Sequence, residues 1–315
     1  MADIAEQASE GPQSASGQRR LAVLGSPIAH SQSPALHDAA YARLGLDMRY
    51  ETADVREEQL ASFIDSCGPE WRGLSLTMPL KKAVMPLLEH ADQVATVTGT
   101  ANTLLFDEAP GDADAGAAGP AAPVSGRVLR GFNTDVAGIV RALAAADVGA
   151  ARYVHILGGG ATAASAVMAA AELGAEQVML SVRSLERAVW LEPLAHSLGM
   201  GVAIRPIGIA DRTLAVPDVV ISTLPGGTRT GALFTASTRR HALLLDVAYD
   251  PWPSELALAW AEVGGRVLSG LAMLTHQALL QVRVFVNGDP LAPLPDEDAV
   301  LADMLAAVGL TPHAG

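Results

Sequence analysis

Between residues 21 and 269 the chain alternates short apolar runs with runs of helical period. LAVLG is followed by PALHDAAYARLGL, MRYETA by REEQLASFIDSC, and RGLSLTM by KKAVMPLLEH. After residue 134 come TDVAGIVRALAAAD, YVHILG, TAASAVMAAAELG, QVMLSV, LERAVWLEPLAHSLG, VAIRPI, DVVISTL, ALLLDVAY, SELALAWAEVGG and RVLS. This alternation constrains the chain to an α/β fold, because parallel strands need a crossover and a helix both spans it and covers the sheet. Two helical runs, LAMLTHQALLQVRVFV and DEDAVLADMLAAVG, close the chain. ANTLLF and GRVLRGF flank the low-complexity stretch 109–123, which reads as an enlarged hairpin loop. Residues 1–18 are polar and aperiodic and read as a disordered tail.

At 315 residues, half of them hydrophobic, the chain can bury a full core in two domains or one large one. A net charge of −13 argues against a nucleic-acid partner, whose phosphates want a basic surface. The single cysteine, Cys67, excludes an internal disulfide and a cysteine-based zinc site, and fits a reducing compartment. No uncharged apolar run reaches membrane-spanning length, and the N-terminus lacks a basic-then-apolar signal pattern. A soluble, cytoplasmic protein with no membrane partner is expected. The scattered histidines and acidic residues form no metal-ligand spacing.

YVHILGGGATAASA, residues 153–166, reads as a buried strand, a glycine turn and an alanine-rich helix. Within it Gly158-x-Gly160-x-x-Ala163 has the dinucleotide-binding spacing: one glycine for the tight turn, one for approach to a pyrophosphate, and a small residue where helix meets strand. The next strand, QVMLSV, ends in Arg183, with Arg187 one helical turn later. An acidic residue there would accept from ribose hydroxyls, whereas two guanidinium groups suit a 2′-phosphate. The expected cofactor is NADP rather than NAD.

A polar constellation precedes this unit. GSPIAHSQSP, residues 25–34, places His30, Ser31, Gln32 and Ser33 between two prolines after a strand. Ser33-Pro34 reads as an N-cap and first helical residue, which leaves the other polar groups without a structural reason. Serine hydroxyls and backbone N–H groups at a helix start suit a carboxylate. In SLTMPLKK, residues 75–82, Lys81 and Lys82 open a helix, where the macrodipole disfavours cations. A residue set against its local propensity is a candidate functional residue. Asn102 precedes a strand, and Asn133, Thr134 and Asp135 precede a helix, at the strand ends where open sheets bind ligands. His155 reads as structural, His30 as orienting its loop, and His276 as a satisfied core histidine.

Together these motifs resemble the shikimate dehydrogenase family over roughly residues 20–290. GSPIAHSQSP resembles its substrate-carboxylate loop, and LTMPLK, GTANTL and NTD its next three blocks. GGGATA resembles its glycine loop, SVRSLERA its NADP-phosphate segment, and LDVAYDPWPSELA and SGLAMLTHQA its C-terminal blocks. The resemblance implies that Ser31 and Ser33 hold the substrate carboxylate. It implies that Thr77, Asn102, Asp135 and Gln277 bind ring hydroxyls, that Lys81 and Asp135 form the catalytic pair, and that Tyr249 lies near the nicotinamide–substrate junction. Gly158, Gly160, Arg183 and Arg187 would bind NADP, with Thr223 along the cofactor and Gly270 near the nicotinamide. The chain departs from the family's usual residues at Ser75, Phe132, Val136, Val182, Ser269 and Ala272.

The resemblance further implies an N-terminal α/β substrate domain, residues 19–135 plus 271–315, and a Rossmann-like NADP-binding domain, residues 136–270, with the active site in the cleft between them. The implied function is NADP-dependent reversible reduction of 3-dehydroshikimate to shikimate by a monomer or homodimer. A quinate or amino-shikimate dehydrogenase of the same superfamily remains an alternative, with Ser75 the residue in question. A catalytically silent homologue that senses the ligand and regulates a partner is a third reading, against which the intact Lys81 and Asp135 argue.

Overall fold

The structure, a computed structural model, describes residues 18–108, 127–209 and 215–311. Apart from Gln18, the tail expected over 1–18 lies outside the described residues, as does the loop expected over 109–123. Two six-stranded sheets organise the chain.

The first sheet contains β1 (Arg19–Gly25), β2 (Met48–Asp54), β3 (Trp71–Leu76), β4 (His90–Ala91), β5 (Thr103–Glu108) and β6 (Arg127–Phe132), in the order β2-β1-β3-β5-β6-β4. β1 runs parallel to β2 and β3, and β5 runs antiparallel to β3 and β6. Leu21, Ala22, Val23 and Leu24 are all buried, because both faces of β1 are covered. On one face lie α1 (Ser33–Leu44) and the two C-terminal helices, with Leu36, Ala40 and Tyr41 packed among Phe285, Val300 and Met304. On the other lie α2 (Leu60–Asp65), α3 (Leu80–Ala83) and α4 (Gln93–Thr98), which contribute Leu60, Ile64, Leu80 and Ala95. From β6 the chain passes through α5 (Asp135–Ala144), whose Val136, Ile139 and Leu143 belong to the core of the second sheet.

That sheet is wholly parallel: β7 (Tyr153–Leu157), β8 (Gln177–Val182), β9 (Gly201–Pro206), β10 (Val219–Ser222), β11 (Leu243–Asp246) and β12 (Val267–Ser269), in the order β12-β11-β10-β7-β8-β9. The winding reverses between β7 and β10, so the connections leave in opposite directions and open a crevice at the strand C-termini. The glycine turn follows β7 and Thr223 follows β10, both at this crevice. α6 (Ala161–Glu172) follows the turn, and its Ala163, Ala164, Ala166 and Val167 are fully buried because small side chains let it lie close on the sheet. α7 (Leu191–Ser197), α8 (Ala236–His241) and α9 (Glu255–Ala261) complete the layers. α10 (Gly270–Asn287) and α11 (Glu297–Ala307) then return to the first sheet. Arg283 pairs with Glu297 between these two helices, and Arg43 of α1 pairs with Asp303 at 2.6 Å.

Several helices are shorter than their sequence period suggests. The run from Lys81 gives only one turn of α-helix, because Pro86 removes a donor and the chain tightens into a 3₁₀ turn at Met85–Leu87. The run from Leu185 becomes helical only at Leu191. Conversely, α4 and α8 lack a clear apolar period but carry good caps: Asp92 accepts from Ala95 N–H at 2.6 Å, and Thr235 from Thr238 N–H at 3.1 Å. None of the described helices is long and apolar enough to cross a membrane.

Candidate active site

The loop after β1 and the turn after β3 touch. A Cβ added to Gly25 would fall 2.4 Å from Thr77 Cγ2 and 2.9 Å from the Met78 carbonyl, so only glycine permits the contact. The start of α1 corrects the expected cap. Gln32, not Ser33, is the N-cap residue, and the Ser31 hydroxyl accepts from Ser33 N–H at 3.3 Å. Ser33 is the first helical residue, buried, with its own hydroxyl released from capping. Thr77 makes no side-chain hydrogen bond among the described residues.

Lys81, Asn102, Asp135 and Gln277 come together from four elements. Lys81 Nζ lies 2.5 Å from Asp135 Oδ2. Asp135, the first residue of α5, is buried and receives Asn102 Nδ2 on its other oxygen at 2.8 Å. The same amide nitrogen reaches Gln277 Oε1 of α10 at 2.9 Å, and Gln277 Nε2 is tied to the Leu274 carbonyl at 3.0 Å. Asn133 supports the turn: its Oδ1 accepts from Asp135 N–H at 3.0 Å, while its Nδ2 donates to Thr98, Thr100 and Ser165. The NTD segment is therefore more than a cap. It fixes a buried carboxylate against an amine whose side chain is 12 % exposed.

Contacts across the two sheets bring the cofactor side near this group. Ser165 lies on α6, so Asn133 joins the NTD turn to the helix behind the glycine loop. Lys82 Nζ stands 3.1 Å from the centre of the Trp190 ring, and Trp190 Nε1 donates to the Gly159 carbonyl at 3.3 Å. His30 Nδ1 is 3.0 Å from Asp250 Oδ2, which supports the loop-orienting role expected of His30. The neighbouring Tyr249 phenol is pushed up by burial, opposed by hydrogen bonding from Gln32 N–H and the Ser31 hydroxyl. Ser31 and Tyr249 thus meet, although they are more than 200 residues apart.

The cofactor-side residues fit a phosphorylated dinucleotide. Gly158 has φ +116°, and Gly160 has nothing within 4 Å of where a Cβ would be, which leaves its backbone open to a pyrophosphate. Arg183 and Arg187 are exposed and form no ion pair among the described residues, so both are free for a 2′-phosphate. Val182, where the family usually has asparagine, is buried beside Gly159. Thr223 Oγ1 donates to the Leu157 carbonyl at 2.9 Å across the switch point. Gly270 has a packing reason of its own: a Cβ there would lie 2.0 Å from the Val247 carbonyl.

Gly158→Ala sets a Cβ 2.3 Å from Thr223 Oγ1 at a backbone angle that L-residues rarely adopt. The expected outcome is a stability loss of about 1–3 kcal/mol and NADP affinity lowered by about tenfold. A thermal melt and a cofactor titration check it, and an unchanged affinity would remove Gly158 from the cofactor turn.

Sequence reasoning missed His37, Thr103, Trp190 and Gln281. Gln281 was the most findable, because it repeats Gln277 one turn later in an otherwise apolar helix. His155 is structural as expected, bonded to Ser181 Oγ at 2.8 Å and pushed down to about 4 by burial. His276 is not satisfied as expected: its Nδ1 is buried without a partner among the described residues, and burial and Arg141 push it down to about 4.

The chain is similar to known proteins of one family. The family described as "Shikimate dehydrogenase substrate binding domain" matches residues 23–104. A shikimate dehydrogenase (NADP(+)) of Geobacter sp. (strain M21) is 32 % identical over 303 residues, covering 92 % of this chain and 97 % of the relative. The crystal structure of shikimate dehydrogenase from Mycobacterium tuberculosis is 36 % identical with a TM-score of 0.72, covering 91 % of this chain and 99 % of that one. A shikimate 5-dehydrogenase from Thermus thermophilus, solved in complex with NADP(H) and shikimate, is 28 % identical with a TM-score of 0.69, covering 92 % and 99 %.

Proposed function

The chain belongs to the shikimate dehydrogenase family, and on that premise we propose that it catalyses the NADP-dependent, reversible reduction of 3-dehydroshikimate to shikimate. The observation that carries this reading is the Lys81–Asp135 pair at 2.5 Å, tied through Asn102 to Gln277, in a chain that also carries a glycine turn with two exposed arginines after the next strand. Its division of labour assigns residues 19–135 plus 271–315 to the substrate and 136–270 to the cofactor. A cytoplasmic location fits the single, half-buried Cys67.

NADP, when bound, supplies or accepts the hydride. The rest of the work falls to the chain. Ser31 and Ser33 hold the substrate carboxylate at the start of α1, where N–H groups converge. Thr77, Asn102, Gln277 and Asp135 take the ring hydroxyls and set the carbinol carbon toward the cofactor. Tyr249 hydrogen-bonds beside Ser31 and closes the site from the second sheet. Lys81, as a neutral amine held by Asp135, takes the proton from the carbinol oxygen during oxidation and becomes the ammonium that Asp135 pairs with, and in reduction that ammonium returns the proton.

Ser75 keeps quinate in the test, because its hydroxyl donates to Gln281 Oε1 at 3.0 Å rather than standing free for a substrate hydroxyl. The test is a cofactor-reduction assay with shikimate and quinate, each offered with NADP and with NAD. Turnover with shikimate and NADP is expected. Preference for quinate would move the assignment to a sibling enzyme, and a folded, NADP-binding protein that turns over neither would overturn it.

A further inference from the structure

Gln281 is 2 % exposed, and both polar atoms of its amide are engaged. Nε2 donates to the Asn102 carbonyl and to Thr103 Oγ1, each at 3.0 Å. Oε1 lies 3.0 Å from Ser75 Oγ and 3.3 Å from His37 Nε2. The orientation follows from these partners: a backbone carbonyl only accepts, so the nitrogen must face Asn102. The oxygen then faces two groups that must both donate. His37 therefore carries its proton on Nε2, and its Nδ1 accepts from the Tyr41 hydroxyl at 3.0 Å. Burial keeps that ring neutral, pushing it down to about 3, and it stacks on Tyr50 with centroids 3.9 Å apart.

The consequence reaches the catalytic pair through Thr103. Its hydroxyl oxygen receives the Gln281 N–H, which directs its one proton to Asn102 Oδ1 at 2.8 Å. Asn102 Oδ1 also accepts from Thr134 N–H at 2.9 Å. Donors on the oxygen leave the amide nitrogen facing Asp135, Gln277 and the Thr134 hydroxyl. The reversed amide would set a carbonyl oxygen against the Asp135 carboxylate.

We propose that Gln281 is a positioning residue for the reaction at Lys81, acting through the Thr103 hydroxyl to hold the Asn102 amide with its nitrogen toward Asp135 and the substrate ring. The proposal rests on the reading of this site as that of a shikimate dehydrogenase. Gln281 itself touches no substrate, since its amide is fully used. It works from α10, together with Ser75 of β3 and His37 of α1.

The chain has three asparagines, at 102, 133 and 287, so protein labelled with ¹⁵N-asparagine gives three side-chain amide proton pairs. The Asn102 pair is identified by its loss in Asn102→Ala. In Gln281→Leu and in Thr103→Val these protons are expected to exchange with solvent about tenfold faster than in the unaltered protein, the equilibrium worth of one hydrogen bond. The Asn133 pair should not change. With shikimate and NADP, kcat should fall by at least about tenfold while KM for NADP holds. Thr103→Ser, which keeps the hydroxyl, should restore most of the turnover lost in Thr103→Val.

Unchanged Asn102 exchange in both variants would overturn the relay, as would a loss of turnover that Thr103→Ser does not rescue. If Gln281→Leu does not fold, Thr103→Val decides alone. An unaltered protein that does not oxidise shikimate with NADP would overturn the proposed function, and the exchange rates would still decide the relay.

Discussion

Lys81→Ala is expected to lower kcat for shikimate oxidation by about 10³-fold, within the range for a positioned acid or base. KM for shikimate should rise less than about fivefold, because the proposed reading gives the carboxylate to Ser31 and Ser33 and the ring hydroxyls to Thr77, Asn102, Gln277 and Asp135. The variant leaves the Asp135 carboxylate buried with Asn102 as its remaining side-chain donor. Breaking a buried pair by removing one partner costs about 3–5 kcal/mol, so a melt must accompany the kinetics. Lys81→Arg separates the two roles of the ammonium. It keeps a cation next to Asp135 but a guanidinium does not give up its proton near neutral pH. If Lys81 carries the proton, Lys81→Arg recovers less than about tenfold of the lost turnover. Recovery close to the unaltered rate would make Lys81 an electrostatic stabiliser only, and an unchanged kcat in Lys81→Ala would remove it from catalysis.

Lys81 was legible in the sequence because it stands against its propensity, two residues after a strand-ending proline. Its partner was legible from the residues alone only as a residue type, and the pairing came from the family resemblance. Asp135 lies 54 positions away, and only the pairing of β6 beside β5 brings the NTD turn to Asn102. The glycine turn was legible for the opposite reason. Gly158, Gly160 and Ala163 act through backbone geometry, which is local, and local geometry is what spacing records. Ser33 was misread because Ser-Pro usually marks a cap, while here Ser31 supplies the capping oxygen two residues earlier. The buried relay was invisible. His37, Ser75, Thr103 and Gln281 sit on four separate elements; Ser75 stood out only as a departure from the family, and the other three had ordinary readings as helix or strand polar residues. Their meaning lies only in which donors meet which acceptors. The same holds for Lys82 and Trp190, whose contact joins the helix of Lys81 to the glycine turn.

The cofactor preference gives the other large effect. The double variant Arg183→Ala, Arg187→Ala is expected to raise KM for NADP by about 10²-fold and to leave KM for NAD within about twofold. A charge-assisted hydrogen bond is worth about 1.5–3 kcal/mol, or roughly one to two factors of ten. Both arginines are exposed, so solvent and salt screen them, and the lower end applies to each. Two independent contacts at one factor of ten apiece multiply to the stated loss, whereas two arginines gripping the same phosphate oxygen would give less than the product. Screening supplies a second readout. The NADP preference of the unaltered protein should shrink as salt rises, and that of the double variant should not respond. The two measurements share one physical cause, a phosphate that NADP has and NAD lacks. If KM for NAD rises as much as KM for NADP, the arginines grip a part that both cofactors share, and the 2′-phosphate must be read by other groups.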